Sequence, residues 1–118
     1  MTPDQIEFEI VNHADLRRVR EGTLSADQVR RTRLRGEMDP ETAHTILPLD
    51  VLESIGLAPV GSVEMRDPAT ETARRSMCED VLVEVSGRSA LSNAIVAPPG
   101  TVARLGVAVL ADLGLYTW

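Results

Sequence analysis

Alternating apolar and polar residues dominate this chain. Residues 6–10, which read IEFEI, place an apolar side chain at every second position, and a period of two is typical of a strand with one buried face. The stretch DVLVEVS at 80–86 shows the same pattern most clearly, and LSNAIVA at 91–97 follows it. A weaker alternation over residues 29–38 indicates another strand. The pattern therefore predicts several short strands.

The middle of the chain predicts a hairpin. Residues 61–67 and 71–77 each read as a short strand, and the DPAT sequence at 67–70 between them is rich in turn-forming residues. Residues 12–25 also contain turn formers and a glycine. We expect them to form a loop or an irregular arm of a hairpin.

Two segments have the apolar spacing of helices. LDVLESI predicts a helix over 49–55, which Gly56 ends. A second helix is predicted over 101–113, with Thr101 as its N-cap and Gly114 after its last turn. The prediction is therefore a mostly β chain with two short helices.

The two predicted helices share a short motif. Residues 51–57 read VLESIGL and residues 109–115 read VLADLGL. One interpretation is that any amphipathic helix ending at glycine looks like this. The other is a domain built from two copies of a strand–turn–helix unit, related by a pseudo-two-fold axis.

Composition fits one domain spanning residues 1–118. The chain is 43% apolar and 25% charged, as is usual for globular proteins. Aromatic residues make up only 3%, so the core must consist of aliphatic side chains. No apolar run approaches the ~18 residues of a membrane-spanning helix. Together with the alternating segments, this composition leads us to expect a barrel-like core of short strands built from aliphatic side chains, and we expect no membrane partner.

Charge is distributed unevenly along the chain. The net charge is −6, yet all twelve basic residues are arginine and seven of them fall within residues 17–35. An anion-binding patch is one interpretation, and a solvated strand face with interspersed acidic residues is the other. Because no aromatic residues interleave for base stacking, we favour the solvated face and expect no nucleic-acid partner.

Cysteine and histidine content predicts a cytoplasmic protein without a metal. Cys78 is alone, so no intrachain disulfide can form. His13 and His44 are far apart in the sequence and show no metal-ligand spacing. Glycines form no phosphate-binding loop. We expect neither a metal nor an organic cofactor.

The stretch EMDPETAHTILP at 37–48 and the elements around it follow an order that is typical of a known family. A strand leads into Asp39, and TILP and the helix LDVLESIGL follow it. Further on come the hairpin of residues 60–77, the strand DVLVEVSGR, the segment NAIVAPPG and the helix VAVLADLGL. In this order they resemble the retropepsin-like aspartic peptidases, and more narrowly their small bacterial single-domain relatives. The resemblance implies a closed barrel of short strands and a homodimer in which each chain supplies one catalytic aspartate, Asp39.

The active-site motif of that family is altered here. Where the family carries Asp-Thr-Gly-Ala or Asp-Ser-Gly-Ala, this chain reads Asp39-Pro40-Glu41-Thr42. Pro40 replaces the hydroxyl residue that links the two loops of a dimer. Glu41 replaces the glycine that permits close backbone approach, and it adds like-charge repulsion at the dimer axis. These changes predict weak or absent peptidase activity.

A shifted alignment is the alternative. Glu41, Thr42 and Ala43 then imitate Asp-Thr-Gly, with Glu41 as the acid, two residues closer to TILP. A second departure precedes the last helix, where the family has an apolar pair and a glycine. This chain reads RLG at 104–106, so an arginine occupies the first apolar position.

The resemblance also implies which residues would face a bound peptide. Thr42 and His44 belong to the turn, and Asp67 and Thr70 belong to the tip of the hairpin. We expect that tip to be mobile and to cover a groove above Asp39, as a lid does.

Three functions follow from the sequence. The first is a homodimeric peptidase homologue that is weak or inactive and binds a peptide or protein ligand by strand addition. An active aspartic endopeptidase that uses Asp39 from each of two chains is the second. The third is a small α+β interaction domain unrelated to peptidases.

Overall fold

Seven strands are present in the part of the chain that the computed structural model describes, residues 4–66 and 72–116. The strands are β1 (Gln5–Asn12), β2 (Arg31–Met38), β3 (Thr45–Pro48), β4 (Gly61–Arg66), β5 (Thr72–Val85), β6 (Arg88–Ala97) and β7 (Ala103–Leu105). The helices are α1 (His13–Arg20), α2 (Leu49–Ser54) and α3 (Val107–Asp112), with one 3-10 turn at Ala26–Gln28. The predicted mostly β class is confirmed.

Six of the strands close into a barrel. Their order is β1-β2-β7-β3-β6-β5, and β1 pairs with β5 to complete the circle. β4 pairs with β5 and lies outside the barrel as one arm of a hairpin. The prediction of a closed barrel of short strands is therefore confirmed, whereas the described residues contain three short α-helices where one or two were predicted.

The barrel consists of two equivalent halves. Exchanging β1 with β5, β2 with β6 and β3 with β7 maps the strand order onto itself. Each pairing also keeps its sense, because β1–β2 and β5–β6 are both antiparallel, and β2–β7 and β3–β6 are both parallel. α2 and α3 follow β3 and β7 in the same way. The structure thus confirms the interpretation of the shared helix motif as a duplicated strand–turn–helix unit.

The equivalence extends to the ends of the two helices. Gly56 and Gly114 have φ of +77° and +74°, the left-handed conformation that follows many helices. After each glycine, a leucine amide bonds the carbonyl five residues earlier, at 3.0 and 2.8 Å. A side chain on either glycine would overlap a guanidinium group, that of Arg30 or that of Arg88. Both helices therefore end in the same way, with a left-handed glycine followed by a leucine whose amide bonds back to the helix.

The barrel interior is aliphatic, as the composition predicts. The largest fully buried apolar side chains are Ile10, Leu47, Leu52, Ile55, Leu105, Leu110, Leu113, Val11, Val81 and Val83. They come from both halves of the barrel and from α2 and α3. Packing of these side chains holds the helices on the barrel and fixes the turns between strands.

The expectation of a loop over residues 12–25 is wrong for its first half, where α1 forms. Asn12 caps this helix, since its Oδ1 accepts a hydrogen bond from the Asp15 amide at 3.1 Å. Acidic Asp15 lies in the first turn and three arginines lie in the last turn. Both placements complement the helix dipole. Stabilisation by the N-cap and by charges that complement the helix dipole therefore favours a helix here, despite the turn-forming residues of the segment.

The helix predicted over 101–113 is too long at its start, because β7 precedes α3. Ala103 and Leu105 are buried in the barrel, whereas Arg104 between them is exposed. β7 lies between β2 and β3 and pairs with both. This burial alternates with the period of a strand, so pairing with two neighbours overrides the helical spacing.

The strands predicted at 71–77 and 80–86 form one strand, β5. A bulge between Cys78 and Val81 interrupts its pairing with β6. An extra residue of this kind bends a strand and increases its twist. β5 therefore serves both the barrel and the hairpin.

The hairpin of β4 and β5 projects from the barrel. The last pair between β5 and β6 joins Met77 to Ile95, and the remainder of β5 pairs with β4 as far as Thr72. The predicted hairpin is thus confirmed in its two strands. Its turn at 67–70 lies outside the described residues.

Candidate functional site

The turn after β2 contains the candidate acid, Asp39. Its Oδ1 accepts a hydrogen bond from the Glu41 amide at 3.1 Å, and its Oδ2 accepts one from the Thr42 hydroxyl at 2.7 Å. The Thr42 amide donates to the Asp39 carbonyl at 3.2 Å and closes a four-residue turn. Proline is favoured at the second position of such turns because its ring presets φ, and Pro40 occupies that position. The Asp39 carboxylate therefore stabilises the turn to which it belongs.

The Asp39 turn is fixed to the segment that joins β7 to α3. The Asp39 amide donates to the Leu105 carbonyl at 3.0 Å, and the Val107 amide donates to the Thr42 carbonyl at 2.8 Å. These two bonds hold the first and last residues of the turn. The position of Asp39 is therefore set by the second half of the barrel.

Gly106 brings two backbone segments into close contact. A Cβ on this residue would lie 2.7 Å from the His44 carbonyl carbon and 2.8 Å from its oxygen. The Gly106 amide donates to the hydroxyl of Thr45 at 3.0 Å, and Thr45 is buried. Glycine is thus required at this position for space.

Arg104 forms ion pairs with two carboxylates. Its Nη1 lies 3.4 Å from Asp39 Oδ2, and its Nε lies 3.4 Å from Glu37 Oε2. The side chains of Asp39 and Glu37 are 19% and 17% exposed, against 46% for Arg104. Glu37 and Arg104 are direct partners in the parallel pair of β2 and β7. The sequence shows Arg104 only as a departure from the family, whereas the structure makes it part of the site.

The second half of the barrel contains an equivalent turn. Pro98-Pro99-Gly100-Thr101 connects β6 to β7, as the Asp39 turn connects β2 to β3. The amide and hydroxyl of Thr101 both bond the Pro98 carbonyl, at 3.2 and 2.7 Å. Thr101 is therefore a turn residue, and its predicted role as a helix N-cap is wrong. This equivalent turn contains no acidic residue.

The residues expected to face a peptide fall in two groups. Thr42 is used within the turn, since its hydroxyl bonds Asp39. His44 is partly buried, and its backbone lies at the close contact described above. Asp67 and Thr70 lie outside the described residues, so their position over Asp39 stays a prediction.

Glu41, the acid of the shifted alignment, lies on the outer side of the turn. Its residue is exposed, and its amide supports Asp39. Asp39 lies beside β7, since its amide donates to the Leu105 carbonyl at 3.0 Å. The shifted alignment stays a prediction that a measurement of activity can decide.

Arginines of the 17–35 segment pair with acids across strands. Arg31 Nη1 lies 3.0 Å from Glu84 Oε1, and Arg35 Nη2 lies 2.9 Å from Glu7 Oε1. Such cross-strand pairs stabilise a sheet modestly when they are open to water. These pairs support the interpretation of this segment as a solvated strand face.

Asp15 is a buried carboxylate that the sequence does not single out. It accepts hydrogen bonds from the Arg30 amide at 3.0 Å and from the Arg30 Nε at 2.9 Å, and its partner Arg18 contributes another at 2.9 Å. Hydrogen bonds from the Arg30 side chain lower the pKa of Asp15 from 3.8 to about 2, against the opposing effect of burial. Asn12 extends this network to α2 through a bond to the Ile55 carbonyl. The network joins β1, α1, β2 and α2.

A cleft of about 580 Å³ opens on the charged face of the barrel, apart from the Asp39 turn. Its lining residues are Glu7, Phe8, Glu9, Arg33, Glu84, Val85, Ser86 and Gly87. Glutamates and one arginine dominate this lining. The cleft therefore belongs to the solvated strand face and not to the candidate acid.

Residues 4–66 and 72–116 contain neither a cluster of metal ligands nor a membrane-spanning helix. No three His, Cys, Asp or Glu side chains within these ranges are close enough together to hold a metal ion. Every helix in the same ranges is too short or too polar to cross a membrane. The Asp39 turn is thus the candidate site that the described residues offer.

Comparisons with known proteins leave the family open. No protein-family model matches this chain, and a search of curated proteins found no match.

Proposed function

We propose that this chain is a retropepsin-like aspartic peptidase homologue that does not cleave peptides, and that it acts as a homodimeric module binding an extended peptide or protein segment. One observation carries the proposal, namely that Asp39 is used within its own turn. Its Oδ1 bonds the Glu41 amide, and its Oδ2 bonds the Thr42 hydroxyl and Arg104. Asp39 acts here as a structural acceptor.

Aspartic peptidase chemistry requires a different arrangement. Two carboxylates must lie about 3 Å apart and share one proton so that they activate a water. The water must also be within hydrogen-bond reach of both. In this chain an arginine takes the place beside Asp39 Oδ2. The proposal therefore places the loss of activity in the surroundings of Asp39 as well as in the altered motif.

Element order supports the family part of the proposal. β2 leads into the acid turn, and β3 and α2 follow. The projecting hairpin comes next, then β6, β7 and α3, which is the order that the resemblance implies. One acid per chain is consistent with a homodimer, because the equivalent turn at 98–101 has none.

The binding part of the proposal uses the outer edge of β4. In the described residues β4 pairs only with β5, so its outer edge is free. Extended peptides add to such an edge through main-chain hydrogen bonds. Val60, just before β4, is 64% exposed and offers an apolar contact. We place the bound segment along β4.

The natural chain is expected to bind peptides without cleaving them. A mixed peptide library incubated between acidic and neutral pH should yield no cleavage products, because Asp39 is engaged, while some peptides remain bound to the immobilised protein. Mass spectrometry of the supernatant and of the eluate gives both results. The matched control is Asp39→Asn, which should give the same absence of products.

Three outcomes would assign a different function or a different catalytic residue. Cleavage by the natural chain that is lost in Asp39→Asn would establish the active endopeptidase. If cleavage were instead lost in Glu41→Gln, the shifted alignment would be correct. Absence of both products and retained peptides would favour the unrelated interaction domain.

Self-association is expected to be weak and to strengthen as pH falls. In a two-fold dimer the Asp39 turns meet, and the exposed Glu41 residues then repel each other. One such repulsion amounts to about 1 kcal/mol in water, so protonation should tighten the dimer about fivefold. Analytical ultracentrifugation across the acidic range measures this, with Glu41→Gln as a control of reduced pH dependence. A monomer at high concentration would contradict the dimer.

A further inference from the structure

Three charged residues at the Asp39 site have apolar counterparts in the other half of the barrel. The pseudo-two-fold exchange pairs Arg104 with Ile46, and the registers of β2–β7 and β3–β6 then pair Glu37 with Ile95. Asp39, the first residue of its turn, corresponds to Pro98, the first residue of the equivalent turn. Ile46 and Arg104 also face each other in the antiparallel pair of β3 and β7, as two residues beside the pseudo-two-fold axis must. The two halves thus differ in charge at matched positions.

Charge is not required to build this part of the fold. The Pro98 turn closes with the same threonine amide-to-carbonyl bond as the Asp39 turn, at 3.2 Å in both. Its neighbouring strands carry isoleucine at both matched positions, Ile46 and Ile95. Placing three charged groups in a partly buried site costs desolvation free energy. Something other than folding must therefore account for the charged set.

We infer that Arg104 is a positioning residue that holds the Asp39 carboxylate in its turn, so that this carboxylate does not activate a water for peptide cleavage. Its Nη1 lies 3.4 Å from Asp39 Oδ2, so it binds the oxygen that also accepts the Thr42 hydroxyl. The inference rests on the proposed function, since it identifies what keeps Asp39 structural.

Glu37 holds Arg104 from the other side. Its side chain is mostly buried, and its Oε2 has no hydrogen-bond partner among the described residues, although Arg104 Nε lies 3.4 Å away. The charge of this oxygen is therefore balanced by the guanidinium. With Glu37 at one end and Asp39 at the other, the arginine bridges β2 and the turn that follows it.

A practical consequence concerns repair of the active site. Restoring the family motif through Pro40→Thr, Glu41→Gly and Thr42→Ala leaves Arg104 paired with Asp39. The arginine must also be replaced, and isoleucine is the residue that the matched position already accepts. Arg104→Ile therefore changes the electrostatics of Asp39 while leaving a side chain that suits the strand.

Amide hydrogen exchange at Glu41 tests the inference in the natural chain, because this amide reports the bond to Asp39 Oδ1. Arg104→Ile should accelerate its exchange about fivefold, the equivalent of a partly exposed ion pair. Arg104→Lys, which keeps the charge, should restore most of the protection. Arg31→Ile, which removes another ion-paired arginine at the opposite end of β2, should leave Glu41 exchange as it is.

The inference would be overturned if the Glu41 amide exchanged at the same rate in the natural chain and in Arg104→Ile. It would also be overturned if that amide exchanged at the same rate in Arg104→Lys and in Arg104→Ile. Far-ultraviolet circular dichroism confirms that each variant is folded. A double-mutant cycle gives a second measurement, in which the unfolding equilibrium is determined for Arg104→Ile, for Asp39→Ala and for the two combined. We expect the two substitutions to be coupled by a factor of about three in the unfolding equilibrium constant. Peptide cleavage by the natural chain would reject the proposed function without altering either result.

Discussion

Asp15→Ala should lower the free energy of unfolding by about 3 kcal/mol, because it leaves buried donors without an acceptor. The Arg30 amide and guanidinium and the Arg18 guanidinium all bond this carboxylate, which is 1% exposed. Half of the Arg30 side chain is exposed, so water can solvate part of the unpaired charge. This solvation keeps the expected loss below the largest values for buried ion pairs.

Urea denaturation measures that loss as a shift of the midpoint at constant slope. The matched control is Asp112→Ala, since Asp112 is an exposed acid at the end of α3. This control should change the stability by less than about 0.5 kcal/mol. Equal midpoints for Asp15→Ala and Asp112→Ala would show that the network contributes nothing.

The same carboxylate makes stability depend on pH. The pKa of Asp15 is about 2 in the folded chain against a usual 3.8, so the unfolded state binds a proton first as pH falls. The stabilisation, about 2 kcal/mol, is complete above about pH 5 and is lost as pH falls through 4 towards 2. Asp15→Ala should lack this part of the acid dependence.

Gly106→Ala should destabilise the protein by about 2 kcal/mol, the range of an overpacked core. The added methyl would lie 2.7 Å from the His44 carbonyl carbon and 3.0 Å from the Thr42 oxygen. Both are backbone atoms, which cannot move without displacing the Asp39 turn. Thermal denaturation measures the loss, and we expect the Asp39 turn to lose protection from hydrogen exchange.

Gly61→Ala is the matched control for this substitution. Gly61 has open space around its Cβ position and no positive φ. Alanine there should alter the stability by less than about 0.5 kcal/mol. If the two variants were equally stable, close packing at Gly106 would not constrain the turn.

Local sequence patterns predict the strands better than they predict short or non-local elements. Alternation located β1, β2, β5 and β6, because each buries one face in the same barrel. β7 is only three residues long, and its neighbours are apolar enough to imitate a helix. Its two pairing partners come from distant parts of the chain, so no local pattern indicates them.

The residues at the two ends of helix α1 indicate a helix, although the composition of the segment does not. Asn12 before the helix, Asp15 in the first turn and Gly22 with φ of +80° after it are ordinary boundary signals. Its polar composition concealed them, since the helix has few apolar residues. Capping signals therefore deserve more weight than composition in short polar segments.

The sequence locates the acid turn but not its electrostatics. Asp39 and Pro40 indicate a turn by their types alone, and the structure confirms it. Arg104 reaches Asp39 only because β7 inserts beside β2, which is a property of the topology. Burial of Asp15 depends in the same way on Arg30, fifteen positions along the chain. Such pairings require the strand order to be known.

The pairing of β1 with β5 closes the barrel, and this seam has a consequence for how the chain folds. The hairpin of β5 and β6 is local, since Val85 pairs with Arg88, whereas the seam joins Glu9 to Glu84. Closing so long a loop costs entropy before any contact compensates for it, so the seam should form last. Barrels with such non-local pairing refold in milliseconds to seconds. Substitutions at the seam should therefore accelerate unfolding while leaving the refolding rate nearly unchanged.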